Sequence, residues 1–101
     1  MEITLHDKVA KFIYKLSKND LSEILTCILL LEKYGHNIRM PYSKSIRYGI
    51  YELRVNASKQ YRLIYFFNNN KAIIVHGFIK KSNKIPLKEI RLALTRKYTY
   101  K

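Results

Sequence analysis

The chain has 101 residues, with 20 Lys and Arg against 7 Asp and Glu, a formal charge of +13. This length suits one domain, residues 1–101, and excludes two, while 48% hydrophobic content with nine Tyr and four Phe supplies a core and excludes a disordered chain. The single cysteine, Cys27, rules out an internal disulfide, and the longest apolar run, Ile24 to Leu31, is far shorter than the ~20 residues that cross a bilayer.

In chain order, Ile3 to Leu5 can add a short strand at a sheet edge. Val9, Phe12, Ile13 and Leu16 fall at i, i+3, i+4 and i+7 with lysines 8, 11, 15 and 18 opposite, which predicts an amphipathic helix over 7–18 with Asp7 as its N-cap. Asp20-Leu21-Ser22-Glu23 has the spacing of a capping box. Leu21, Ile24, Leu25, Ile28 and Leu31 then continue a second helix, which Gly35 stops. The two helices form a hairpin, and Cys27 reads as a small core residue of its second arm. Residues 36–49 have no sustained period and carry Pro41 and Gly49, so they read as a loop.

After the loop the period becomes two. Tyr51, Leu53 and Val55 alternate with Glu52, Arg54 and Asn56; Tyr61, Leu63, Tyr65 and Phe67 alternate with Arg62, Ile64 and Phe66. Asn68 to Lys71 is a turn, because asparagine tolerates positive φ, and Ala72 to Ile79 is a third strand too apolar for an exposed edge. Connections this short make an antiparallel meander. Pro86 suits the first turn of a last helix with Leu87, Ile90, Ala93, Leu94 and the Lys97 stem on its buried side. The expected fold is α+β, in the order (β)ααβββα, with the helices on one sheet face and the other face open and basic.

Charge is segregated along the chain. Residues 1–38 carry five lysines and five acids, whereas 39–101 carry nine lysines and six arginines against only Glu52 and Glu89. Such a one-signed surface suits a polyanion: nucleic acid first, then an acidic protein or an anionic membrane surface. Residues 1–7 lack the apolar run of a signal peptide, and with one cysteine this predicts a reducing, cytoplasmic setting.

Counting removes several chemistries. Three glycines exclude a Gly-rich phosphate loop, no HExxH or paired CxxC is present, and His6, His36 and His76 are too scattered to suggest a metal site; no cofactor is implied. His76, on the apolar third strand, reads as a hydrogen-bonded structural histidine. Paired-carboxylate chemistry is excluded because Glu52 and Glu89 are the only acids after residue 32. Cations remain: parity points Arg54 and Arg62 from the open face together, either as a solvated pair or as a phosphate grip. Lys80, Lys81 and Lys84 add charge at one sheet corner.

Four segments also carry a resemblance: Gly49-Ile50-Tyr51-Glu52-Leu53-Arg54-Val55, Tyr61-Arg62-Leu63-Ile64-Tyr65-Phe66-Phe67, His76-Gly77-Phe78-Ile79-Lys80-Lys81, and Lys84-Ile85-Pro86-Leu87-Lys88-Glu89-Ile90. Over about residues 46–97 the chain resembles the RelE/HigB superfamily of type II toxin–antitoxin toxins, and most its phage-derived HigB-like branch. The resemblance implies a RelE-like fold and a metal-independent endoribonuclease that cleaves translated mRNA in the A site of the 30S ribosomal subunit. It also implies restraint by a HigA-like helix-turn-helix antitoxin. It assigns Arg62 to the scissile phosphate, Arg54 to a second phosphate contact, Lys81 to the transition state, and Tyr98 or Tyr100 to chemistry or base stacking. Lys80, Lys84 and Arg47 join Tyr100 as RNA-binding candidates. Three departures stand out: Glu52 occupies a position that is lysine in the RelE type, the stretch between Arg54 and Arg62 is one residue longer, and the tail has no histidine, so neither general base nor general acid is assigned.

Overall fold

The computed structural model describes residues 1–100. Its elements are β1 (Glu2–Leu5), α1 (Asp7–Tyr14), α2 (Lys18–Tyr34), a 3-10 turn (Gly35–Asn37), β2 (Ser43–Ser45), β3 (Tyr51–Asn56), β4 (Gln60–Asn68), β5 (Lys71–Ile79) and α3 (Leu87–Thr99). The strands form one mixed sheet in the order β1-β5-β4-β3-β2, in which β1 runs parallel to β5 and every other pair is antiparallel. The α+β class, the meander and the edge strand near residue 3 are as the pattern predicts. No helix among the described residues is long and apolar enough to cross a membrane.

The helices do not share one sheet face. Val9 and Ile13 of α1 and Ile24 and Leu31 of α2 pack on Leu53, Val55, Tyr61, Leu63, Tyr65, Ala72 and Ile74. A second cluster joins Ile50, Ile64, Phe66, Ile73, Val75 and Phe78 to Ala93 of α3. The physical reason is that β4 and β5 are apolar on both sides, so each side must be covered. The expected open face is therefore half closed. A bulge assists: Ile64 pairs with His76 but Tyr65 pairs with Ile74, leaving Val75 as an extra residue in β5. Val75 joins the α3 cluster and His76 meets α3 through Glu89. Leu87, expected on the buried side, is exposed, and the helix buries Ala93 with Ile90 and Leu94 alongside.

Helix boundaries differ from those expected, α1 ending at Tyr14 rather than at residue 18, whose lysine opens α2. His6, not Asp7, caps α1, its Nδ1 accepting from the Lys8 N–H at 3.1 Å. Ser17 caps α2 by accepting from the Asp20 N–H at 3.2 Å, so α2 begins two residues before the expected box and Asp20 lies in its first turn. Freed from capping, the Asp20 carboxylate accepts from the Ser58 N–H at 3.1 Å and from the hydroxyls of Ser58 and Tyr61. It thereby ties α2 to the β3–β4 turn. The loop expected at 36–49 holds the last two residues of the 3-10 turn and all of β2, whose three residues are too few to display a period. Asn69 and Asn70 take φ of 49° and 64°, the left-handed pair of a tight hairpin.

The Asp20 knot gives the fold an acid-sensitive joint. Hydrogen bonds from Ser58, then from Tyr61, hold this carboxyl below its ordinary value. A lowered carboxyl stabilises the fold above its unfolded pKa of about 3.9, and that contribution disappears as pH falls through the folded value. Unfolding midpoints for wild type and Asp20→Asn should therefore differ most near neutral pH and draw together as pH falls below the unfolded value of about 3.9. A gap that does not narrow on acidification would contradict this.

Candidate nucleic-acid interface

On its face of the sheet α3 packs over β5 and β4, while the β3–β2 half stays uncovered. The result is a trough of about 1020 Å³ with three sides. The β2–β3 segment contributes Lys44, Arg47, Tyr48, Glu52 and Arg54; the segment after β5 contributes Lys80 and Lys84; and α3 contributes Leu87, Ile90, Arg91 and Leu94. Six cations thus surround a single acid. Pairing Lys44 with Glu52 across β2 and β3 sets that acid between strands, and the i, i+3, i+4, i+7 stripe of α3 presents Arg91 with the apolar wall.

The trough brings together Arg54, Arg47, Lys80 and Lys84 of the sequence-derived candidates. Arg54 keeps 28% of its side chain exposed, with Nε 3.7 Å from Glu52 Oε1. Arg62 does not project into solvent as expected. It lies opposite Arg54 and Phe78 in the sheet, is 2% exposed, and donates to the Tyr61 carbonyl at 2.8 Å. Its Nε lies 3.9 Å from Glu52 Oε2, and neither atom has a hydrogen-bond partner. Burial lowers this guanidinium from its usual range and Glu52 opposes that effect, but arginine remains a cation in proteins. Parity gives the face of a strand residue, not its depth, which is why this burial was not foreseen.

The other candidates lie elsewhere. Lys81 lines a smaller cleft with Lys59, Gln60 and Lys80 at the end of β5. Tyr98 is solvent-exposed on α3, with the Lys97 ammonium 5.5 Å from its ring centroid. Tyr100 packs edge-on against Phe66, 5.7 Å between centroids, and serves the α3 cluster. His76 is structural: Nε2 lies 2.9 Å from Glu89 Oε1, and Arg96 donates to the Val75 carbonyl at 2.8 Å, so α3 is pinned to the bulge. Burial pushes the His76 imidazole down, with Glu89 acting against it. Sequence reasoning missed Lys44, Tyr48 and Arg91 as trough residues. Only Arg91 left a signal, its place in the helical stripe.

Fold and trough together define a basic α+β protein with half of one sheet face left uncovered and lined by cations. The chain belongs to the family described as phage derived protein Gp49-like (DUF891), whose model matches residues 11–98. This family is associated with RelE-like toxins of toxin–antitoxin systems and with endoribonuclease-type proteins. Among curated proteins, none matches the chain.

The two arginines should separate on substitution. Arg62→Ala strips a buried acid of its counter-charge and should lower the unfolding free energy by about 3 kcal/mol or more. Arg54→Ala, on the rim, should change it by less than about 1 kcal/mol. Urea unfolding of both variants measures the difference, and equal effects would contradict the assignment of Arg62 to the framework.

Proposed function

We propose that this protein is the toxin of a type II toxin–antitoxin module, of the HigB-like kind, and that it cleaves messenger RNA. The observation that carries the reading is the convergence on the trough floor of one carboxylate with flanking cations, within a family associated with such toxins. Its place in the ribosomal A site and its HigA-like antitoxin rest on the resemblance at residues 46–97.

The chemistry suits breakage of RNA by its own 2′-hydroxyl. The 2′-oxygen attacks the adjacent phosphorus as its proton leaves, and the bond to the 5′-oxygen of the next nucleotide breaks as that oxygen gains a proton. The products are a 2′,3′-cyclic phosphate and a 5′-hydroxyl. Arginine cannot take the first proton at neutral pH. Among the described residues Glu52 is the only carboxylate lining the trough, and we assign it that step. Arg54, beside it, faces the charge that develops on the phosphoryl oxygens. Lys80 and Lys84 have ammonium protons to give the leaving oxygen. Arg62 acts from beneath by holding the Glu52 carboxylate in place.

The burial of Arg62 favours a second reading, a noncatalytic RNA binder, because the resemblance assigns that side chain to the substrate. Cleavage decides between them. Induced expression in a bacterium should arrest growth and produce messages with cyclic-phosphate ends. Glu52→Gln leaves Arg62 without its counter-charge and should lose stability, so its unfolding curve is measured first; the folded variant should relieve the arrest and cut more slowly by roughly 10²- to 10⁴-fold. A folded wild type that leaves messages whole would defeat the nuclease reading, and an unimpaired Glu52→Gln would defeat the assignment of the base.

A further inference from the structure

The wall of the trough contains an aromatic ring held at evident conformational expense. In the turn that enters β3 the Ile50 N–H donates to the Arg47 carbonyl at 3.2 Å, and the Ile46 N–H to the Ile50 carbonyl at 3.0 Å. Its two central residues, Tyr48 and Gly49, take φ of 58° and 73°. Two successive left-handed residues favour Asn-Gly, and a bulky residue in the first position is a true outlier. Packing does not repay Tyr48, which is 59% exposed. The conformation is instead imposed from outside: Lys97 of α3 donates to the Tyr48 carbonyl at 2.6 Å, and the same ammonium approaches so closely that a side chain on Gly49 would meet it at 2.7 Å.

Strain of this kind persists where surrounding structure fixes it and use maintains it. The use is suggested by position. Tyr48 lines the trough among its cations, next to Arg47, whose guanidinium carbon lies 5.7 Å from the ring centroid. A rigid, solvent-facing π surface beside a row of positive charge is what a flexible single strand needs for one of its bases. We infer that Tyr48 is a stacking platform for a nucleobase of RNA lying in the trough. This deepens the nuclease reading and rests on it: cations grip the backbone, and the ring sets which nucleotide stands over Glu52. The stacking role implied for Tyr98 or Tyr100 thus passes to a residue on the opposite wall.

The test uses purified full-length protein and a single-stranded 2′-O-methyl RNA octamer, which cannot be cleaved, with binding read by fluorescence anisotropy at fixed salt. Tyr48→Asn should bind roughly 5- to 150-fold more weakly, the range expected for one lost base stack, while Tyr48→Phe keeps wild-type affinity to within about twofold. Because asparagine suits the left-handed turn, the thermal midpoint of Tyr48→Asn should equal or exceed that of wild type. A scan of octamers with one abasic site guards against an indirect effect. One position should weaken wild-type binding and have little further effect on Tyr48→Asn, a coupling expected only between groups in contact. Wild-type affinity in Tyr48→Asn, or additive losses at every abasic position, would overturn the platform and leave the nuclease intact. No octamer binding by wild type even at low salt would overturn both.

Discussion

Hydrophobic burial on both sides of β4 and β5 decides where everything else goes. On one side Tyr61, Leu63 and Tyr65 meet α1 and α2; on the other Ile64, Phe66, Ile73 and Phe78 meet α3. Strands apolar on both faces cannot leave one to water, so the chain returns after β5 to cover the second face with its last helix. That helix is narrower than the sheet. Coverage stops at β4, and the polar residues of β3, Glu52 and Arg54, are left at the bottom of a depression rather than on a plane. The cationic site is thus a consequence of core packing.

Electrostatics then gives the depression its sign. Six cations facing one acid repel one another, and a polyanion bound as proposed would relieve that repulsion and stabilise the folded state by mass action. Arg62 extends the same arrangement into the interior, where a guanidinium and a carboxylate share a layer that water barely reaches. Such a pair contributes little net stability compared with apolar packing, yet either member alone would be a severe liability. Its place beneath the site agrees with the positioning role proposed for Arg62 toward Glu52.

Much of this was legible in the sequence because period and parity are strong signals. The alternation at residues 51–67 and the helical spacing at 9–16 gave the strands and helices, and parity placed Glu52, Arg54 and Arg62 on one face. Depth was not legible: Arg62 and Arg54 have the same parity and opposite exposure, because Phe78 and Arg54 flank Arg62 across the sheet. Nor was the owner of a hydrogen bond. Asp20 reads equally well as a cap or as a tertiary acceptor, and only the approach of Ser58 and Tyr61 across about forty residues selects the second. The resemblance carried Lys81 and Tyr98 by order along the chain, while the fold turns both away from the trough.

The parallel pairing of β1 with β5 joins residues 2–5 to residues 71–74. Synthesis proceeds from the N-terminus, so the first strand has no neighbour until some seventy residues later, and a contact so distant in sequence forms slowly. The wall carried by α3 emerges later still. A nascent chain of this protein therefore has most of its strands before it has the helix that walls the trough.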